Sequence, residues 1–174
     1  MLQFLQNIIE FLHCENIPYM LSGSVAMSIY TIPRSTRDID FIIHLQAKDV
    51  EKFVSHFSEG YYCDADAVKE AIANQGMFNI IDHATGFKAD FVILKTQPFR
   101  QKEFERRMKA DFFGIPIYVV SVEDLLISKL IWIQDIQSNV QMEDIKNLIL
   151  VEEMDWNYIK SWIGSLSLNT FNLL

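Results

Sequence analysis

The chain has 174 residues, half of them hydrophobic and 13% aromatic, which is enough apolar material for one packed domain with a small helical appendage and argues against disorder. Its formal charge of −8 opposes non-specific binding to DNA or other polyanions, because such binding is driven by neutralising phosphates. Cys14 and Cys63 lie far apart without ligand spacing, and Met1 to Tyr19 lacks a basic leader and is broken by Glu10, His13, Glu15 and Asn16; the expectation is a soluble cytoplasmic protein with reduced thiols and no membrane span.

Leu2, Leu5, Ile8, Ile9 and Leu12 follow the i, i+3, i+4 spacing of an amphipathic helix that Pro18 ends. Tyr19-Met20-Leu21 is a short buried strand, Ser22-Gly23-Ser24 a tight turn, and Val25 to Tyr30 a short helix closed by Pro33. A polar loop, Arg34 to Arg37, leads into a strand over Asp38 to His44. Lys48 to Phe57 reads as a helix with Gly60 as its stop, followed by a strand near Tyr61 to Cys63 and a helix near Ala65 to Ala73. Met77 to Asp82 and Phe87 to Leu94, separated by Thr85-Gly86, read as an antiparallel hairpin.

Pro98 opens a charged helix running to about Lys109, and Ile115 to Val120 is a strand that Pro116 assigns to a sheet edge. Ser121-Val122-Glu123-Asp124 is a capping box for a long apolar helix through Ile136, and helices near Met142 to Val151 and Trp156 to Ile163 complete the chain. Trp132, Trp156 and Trp162 read as core. The fold class is α/β (α+β): a mixed sheet of four to five strands with flanking helices, residues 1–120 forming the core and 121–174 a helical C-terminal portion packed on it.

Three local features carry chemistry when taken together. Gly23-Ser24 lets backbone approach a phosphate closely, with free amides at the start of the next helix and a hydroxyl donor. Asp38 and Asp40 project from one face of their strand while Ile39 points into the core; two such carboxylates repel each other unless a hard cation such as Mg²⁺ or Mn²⁺ compensates. Asp90, in the apolar stretch Lys88-Ala89-Asp90-Phe91-Val92-Ile93-Leu94, is costly to bury unpaired. Placed beside the Asp38 strand, it completes a three-carboxylate metal cluster.

A Gly-Ser turn opening a helix, Asp-x-Asp on the next strand and a single Asp on a later strand resemble the nucleotidyltransferase superfamily of the polymerase-β type. Leu21-Ser22-Gly23-Ser24-Val25-Ala26 and Arg34-Ser35-Thr36-Arg37-Asp38-Ile39-Asp40-Phe41 look more specifically like the AbiEii-like toxin nucleotidyltransferases and their short relatives. Val122 to Leu130 resembles that subgroup's helix with a phosphate-facing lysine, here Lys129, and Glu143-Asp144-Ile145-Lys146-Asn147-Leu148 its later Asp motif, making Asp144 an accessory site residue. The subgroup usually has an arginine shortly before that Asp, and Gln137 to Gln141 contains none.

The resemblance implies transfer of a nucleoside monophosphate from an NTP to RNA (tRNA) or a protein, in a toxin-antitoxin or phage-defence pair. Asp38, Asp40, Asp90 and Lys129 would be catalytic, the three aspartates binding Mg²⁺ or Mn²⁺; Gly23, Ser24, Arg37 and Lys129 would bind nucleotide. Arg37 also stands where it could pair with Asp38 or Asp40. The run Arg100, Lys102, Arg106, Arg107 and Lys109 is the best resting place for an RNA acceptor, although Glu103 and Glu105 dilute it. Two rival readings are an inactive nucleotide-binding or antitoxin domain on the same fold, and a small-molecule nucleotidyltransferase of the aminoglycoside-modifying kind.

Overall fold

The structure, a computed structural model, describes Met1–Leu174. Its centre is one mixed sheet of seven strands: β1 (Tyr19–Ser22), β2 (Asp38–Ile43), β3 (Tyr61–Cys63), β4 (Met77–Asp82), β5 (Lys88–Ile93), β6 (Met108–Phe112) and β7 (Ile115–Val119). The spatial order is β3-β4-β5-β2-β1-β7-β6. β2 pairs parallel to β5 and β1 parallel to β7, whereas the β1–β2, β3–β4, β4–β5 and β6–β7 pairs are antiparallel.

Eight helices surround the sheet: α1 (Leu2–Cys14), α2 (Gly23–Met27), α3 (Val50–His56), α4 (Ala65–Asn74), α5 (Pro98–Glu105), α6 (Val122–Asp135), α7 (Asn139–Leu148) and α8 (Trp156–Ser165). A 3-10 turn over Ala47–Asp49 leads into α3. None of the helices is long and apolar enough to cross a membrane.

Strand alternation sorts the central strands into two faces. On the core face, Phe41, Phe91 and Phe78 sit in register across β2, β5 and β4; Phe91 stacks on the other two at 5.1 Å each, and Phe53 of α3 packs edge-on against the row. Burial of such aromatic surface is the main force holding these strands together. The intervening residues form a polar row on the other face, Ser22, Asp40, Asp90 and Asn79 in consecutive register on β1, β2, β5 and β4.

The expected sheet of four to five strands is corrected to seven. The charged helix from Pro98 ends at Glu105 rather than near Lys109, and Met108–Phe112 continues as β6. This edge strand exposes most of its side chains and so lacks the apolar alternation that marks a half-buried strand. Phe113 and Gly114, both at positive φ, form the two-residue turn of the β6–β7 hairpin, the geometry favoured by strand twist.

Pro116 therefore lies on a strand flanked on both sides, not on a sheet edge. β1 reaches β7 only at the Leu21–Val119 pair, so at Pro116 the strand has β6 as its single neighbour and the missing N–H is tolerated. Trp132 is 62% exposed and does not join the core; Trp156 and Trp162 pack against it in part.

Candidate active site

The three sequence-predicted carboxylates share one sheet face at the C-terminal end of β1. Asp40 and Asp90 are direct register partners on parallel neighbouring strands, which lie roughly 4.8 Å apart, and Asp38 pairs one row further out with Lys88. The Lys88 ammonium is 2.8 Å from Asp90 Oδ2 and 3.6 Å from Asp38 Oδ1. Lys88 is thus the resident cation of the cluster. Hydrogen bonding to Asp90, together with the charges of both carboxylates, raises its pKa.

Burial raises the Asp40 pKa from 3.8 to about 6, reinforced by the charges of Asp90 and Asp38 and opposed by Lys129 and the Ser24 amide. Asp90 Oδ1 is buried without a hydrogen-bond partner, an oxygen with unmet demand for a cation or a proton. A divalent cation fits this donor set, three carboxylates on one face with one orphaned oxygen. As they stand, with Lys88 among them, no three acidic, histidine or cysteine side chains converge tightly enough to form a metal-binding group.

Gly23 meets Asp40 from above. It has φ +62°, and a Cβ there would fall 1.9 Å from Asp40 Oδ2. Glycine is required twice over, for the left-handed backbone and for the space the carboxylate occupies. The adjacent Ser24 accepts a short hydrogen bond from Arg34 Nη2. Arg34 also clamps Asp144 with Nε to Oδ1 at 3.0 Å and Nη2 to Oδ2 at 3.2 Å, the bidentate geometry that guanidinium favours.

Lys129 completes this group, donating to Asp144 Oδ2 at 2.8 Å and to Gln141 Oε1 at 3.0 Å. At 5% exposure it is a buried ion-paired lysine, not one reaching out from the helix surface. Burial, the largest influence, pulls its pKa below the ordinary lysine range against the attraction of Asp144. For Asp144, burial works upward but hydrogen bonds from Arg34 and Lys129 outweigh it, and the carboxyl is held low. Ser121 caps α6 by accepting from the Asp124 amide, which sets the start of the Lys129 helix. The expected capping box is only half formed, because Asp124 Oδ2 accepts from the Ser121 hydroxyl rather than from its amide.

Arg37 has no ion-pair partner; its carbonyl accepts from the Lys88 amide. The counter-charge anticipated from Arg37 comes from Lys88 instead. Three site residues carry no assignment from the sequence. Lys88 has a readable signal, since it stands two positions before Asp90 and hence on the same strand face. Asn79 depends on the hairpin register. Arg34 is visible only as one of several polar loop residues, since its partner Asp144 lies 110 positions away.

The basic run offered to RNA is largely consumed internally. Arg100 pairs with Glu103, Lys102 with Glu105, and Arg106 with Asp124 and Glu123. Arg106 also covers the Tyr158 ring at 4.0 Å, and the Tyr158 hydroxyl donates to Asp124 at 2.6 Å, so these charges fasten α8 to α6.

This sheet, with a glycine turn set against paired aspartates, defines a nucleotidyltransferase fold. Among solved structures it is similar to the antibiotic-resistance factor ANT(2'')-Ia, at 11% identity and TM-score 0.65 over 95% of this chain and 90% of that one. It is likewise similar to the lincosamide antibiotic adenylyltransferase LnuA in its lincomycin-bound form, at 16% identity and TM-score 0.58 over 84% and 94% of the two chains. A third similar structure is an antigenic nucleotidyltransferase-like protein from Paracoccidioides brasiliensis, at 15% identity and TM-score 0.51 over 94% and 85%. No curated protein matches the chain by sequence. The chain belongs to the family described as "Nucleotidyltransferase of unknown function (DUF6036)", whose match spans residues 2–172.

Proposed function

We propose that this protein transfers a nucleoside monophosphate from an NTP to a hydroxyl of a small-molecule acceptor, with pyrophosphate leaving. The observation that carries the transfer reading is the Asp40–Asp90 register pair facing the Gly23-Ser24 turn, with Arg34 bonded to Ser24 and sharing Asp144 with Lys129. An acidic and a cationic group of side chains thus meet across one turn, as a metal-bound polyphosphate requires.

Asp38, Asp40 and Asp90 are the residues that would hold Mg²⁺ or Mn²⁺, which when bound supplies neutralisation of phosphate charge. Gly23 admits the phosphates close to backbone, Ser24 offers its hydroxyl, and Arg34 and Lys129 hold the β- and γ-phosphates. As the acceptor oxygen forms its bond to the α-phosphorus and the bond to pyrophosphate breaks, Asp90 takes the acceptor proton. Arg37, exposed at the head of β2, is assigned to the incoming nucleotide.

Two observations support a small acceptor. Three of the five cations in the basic run that would seat RNA, Arg100, Lys102 and Arg106, are already paired with Glu103, Glu105, Glu123 and Asp124. ANT(2'')-Ia, also known bound to adenylyl-2''-tobramycin, aligns over 95% of this chain and 95% of its own. The inactive reading loses its main support, because Arg34 brings to Asp144 an arginine that the local sequence lacks. An RNA or protein acceptor, in an AbiEii-like toxin-antitoxin pairing in the cytoplasm, is the second reading; it rests on the Arg34 to Phe41 and Val122 to Leu130 motifs.

The test is transfer of label from each of the four α-³²P NTPs, with Mg²⁺ or Mn²⁺, to a panel of aminoglycosides and lincosamides, to tRNA and to lysate protein. Labelled small molecules are expected. Label on RNA or protein alone overturns the acceptor assignment; no transfer to anything, with no metal-dependent nucleotide binding, overturns the enzyme.

A further inference from the structure

Of the five cations in the basic run, only Arg107 and Lys109 form no ion pair. Both line a pocket of about 500 Å³, together with His13, Tyr19, Pro116 and Tyr118. This pocket sits at the far end of the sheet from the aspartates. Tyr19 begins β1 and Tyr118 belongs to its parallel neighbour β7, whereas Ser22, the register partner of Asp40, ends β1. The length of β1, roughly 10 Å, separates the two places.

The lining is chemically selective. No acidic side chain contributes to it, in a protein whose formal charge is −8. The nearby carboxylates are engaged elsewhere: Asp111 accepts from the Gly114 amide at 2.8 Å, and Glu15 pairs with Lys52 at 2.6 Å. The Arg107 guanidinium is fixed by aromatic faces, 4.2 Å from the Phe104 ring centre and 5.3 Å from that of Tyr118. Its Nη1 donates to the Phe104 carbonyl, and its Nε is buried with no acceptor. A guanidinium has five donors, so most of this group's capacity is unspent.

Lys109 extends along the same Tyr118 ring, 5.9 Å from its centre. On the opposite wall, the buried Tyr19 hydroxyl accepts from the Tyr118 amide at 3.3 Å and shares a hydrogen bond with His13 Nε2 at 3.0 Å. The aromatic ring of Tyr19 and the apolar side chains of Leu12, Ile17 and Ile117 form the floor. Convergent polar groups over an apolar base are the ordinary anatomy of a small-molecule site.

We propose that this pocket is a second binding site, separate from the nucleotide site, for a small organic anion: a phosphate ester or carboxylate carried on a flat apolar body. Arg107 and Lys109 receive the anionic group, and Pro18, Pro116 and the Tyr118 ring receive the body. Replacing solvent around two uncompensated cations with a charge-assisted partner favours binding more than a neutral ligand would.

Titration of the full chain followed by ¹H–¹⁵N NMR tests this, with phenyl phosphate and benzoate as probes and inorganic phosphate and benzylamine as controls. Saturable shifts are expected at the Ala110, Ile117 and Tyr118 amides with the two aromatic anions. Affinity should fall about tenfold in Lys109→Met and further in Arg107→Met. Arg107→Lys, which keeps the charge but loses the planar fork, should weaken binding less than Arg107→Met, which separates loss of charge from loss of packing. Asp40→Asn should leave the shifts unchanged, so failure of the nucleotidyl-transfer reading does not touch this one.

Shifts centred on Ser24, equal binding in Lys109→Met, or no saturation by about 10 mM overturn the proposal. Inorganic phosphate binding as tightly as phenyl phosphate, or benzylamine binding as tightly as benzoate, overturns the assigned ligand class.

Discussion

Replacing Gly23 with alanine isolates the contact on which the site depends. At φ +62° the backbone alone penalises an L-residue by roughly 1–2 kcal/mol. The new methyl would lie 1.9 Å from Asp40 Oδ2 and 2.5 Å from Cγ, and ordinary contact begins near 3.4 Å. The carboxylate must therefore retreat by about 1.5 Å, or the turn must open by as much, adding about 1–3 kcal/mol of overpacking. Displacement of a reacting group by about 1 Å can cost roughly a hundredfold in rate.

Gly86→Ala is the internal control, since Gly86 has φ +70° and nothing lies within 4 Å of the place its methyl would take. It carries the same kind of backbone penalty without the contact. Urea unfolding in chelator should show Gly23→Ala destabilised by about 2–5 kcal/mol and Gly86→Ala by about 1–2 kcal/mol. Mn²⁺-dependent ATP binding should collapse only in the former. Equal nucleotide affinity in the two variants would refute the role given to the Gly23–Asp40 contact.

Three further substitutions probe the charges. A carboxyl with pKa raised from 3.8 to about 6 binds its proton more tightly in the folded state, so metal-free protein loses stability as Asp40 ionises between pH 4 and 6. Asp40→Asn should then be more stable than the parent at pH 7, by up to about 3 kcal/mol, and should lose that advantage at pH 4; a pH-independent difference in urea unfolding contradicts this. Lys88→Met should tighten Mn²⁺ binding several-fold, measured by electron paramagnetic resonance, and lower metal-free stability by about 1 kcal/mol; unchanged Mn²⁺ affinity removes Lys88 from the cluster. Asp144→Asn strands the buried Lys129 ammonium, and calorimetric unfolding should show a loss of about 3 kcal/mol, with weaker NTP binding; a neutral effect would mean that Arg34 and Lys129 need no shared anion.

The parts of the site that are legible from sequence are those encoded by short-range periodicity. Asp38 and Asp40 share a face because side chains alternate along a strand, and Gly23-Ser24 announces a turn by composition. The hairpin from Met77 to Leu94 is readable from the Thr85-Gly86 break, and it delivers Asp90 to the row once β5 pairs with β2. That last pairing is a tertiary event between strands separated by two helices and two strands. β6 escapes detection because an edge strand need not alternate, and its Lys109 and Asp111 prolong the charged pattern of α5. Trp132 shows the converse error: a helical position compatible with burial does not create a partner to bury it.

Arg34, the residue least visible in the sequence, shows how the site remains stable without ligand. The acidic side contains Asp38, Asp40 and Asp90 with Lys88 inserted among them, a formal balance of −2. The basic side contains Arg34 and Lys129 sharing Asp144, a formal balance of +1. Each side carries its own counter-ion, and the burial of unlike charges is tolerable only when such partners are present. On the proposed reading, metal and polyphosphate substitute for these internal partners: a divalent cation competes with Lys88 for the aspartates, and phosphate oxygens compete with Asp144 for Arg34 and Lys129. The resident ions thereby set a threshold for binding, since only a ligand bringing both charges together satisfies both sides at once. A bound divalent cation removes net negative charge from the acidic side facing the phosphates, and bound polyphosphate supplies oxygens to the cation, so the two should bind with positive coupling.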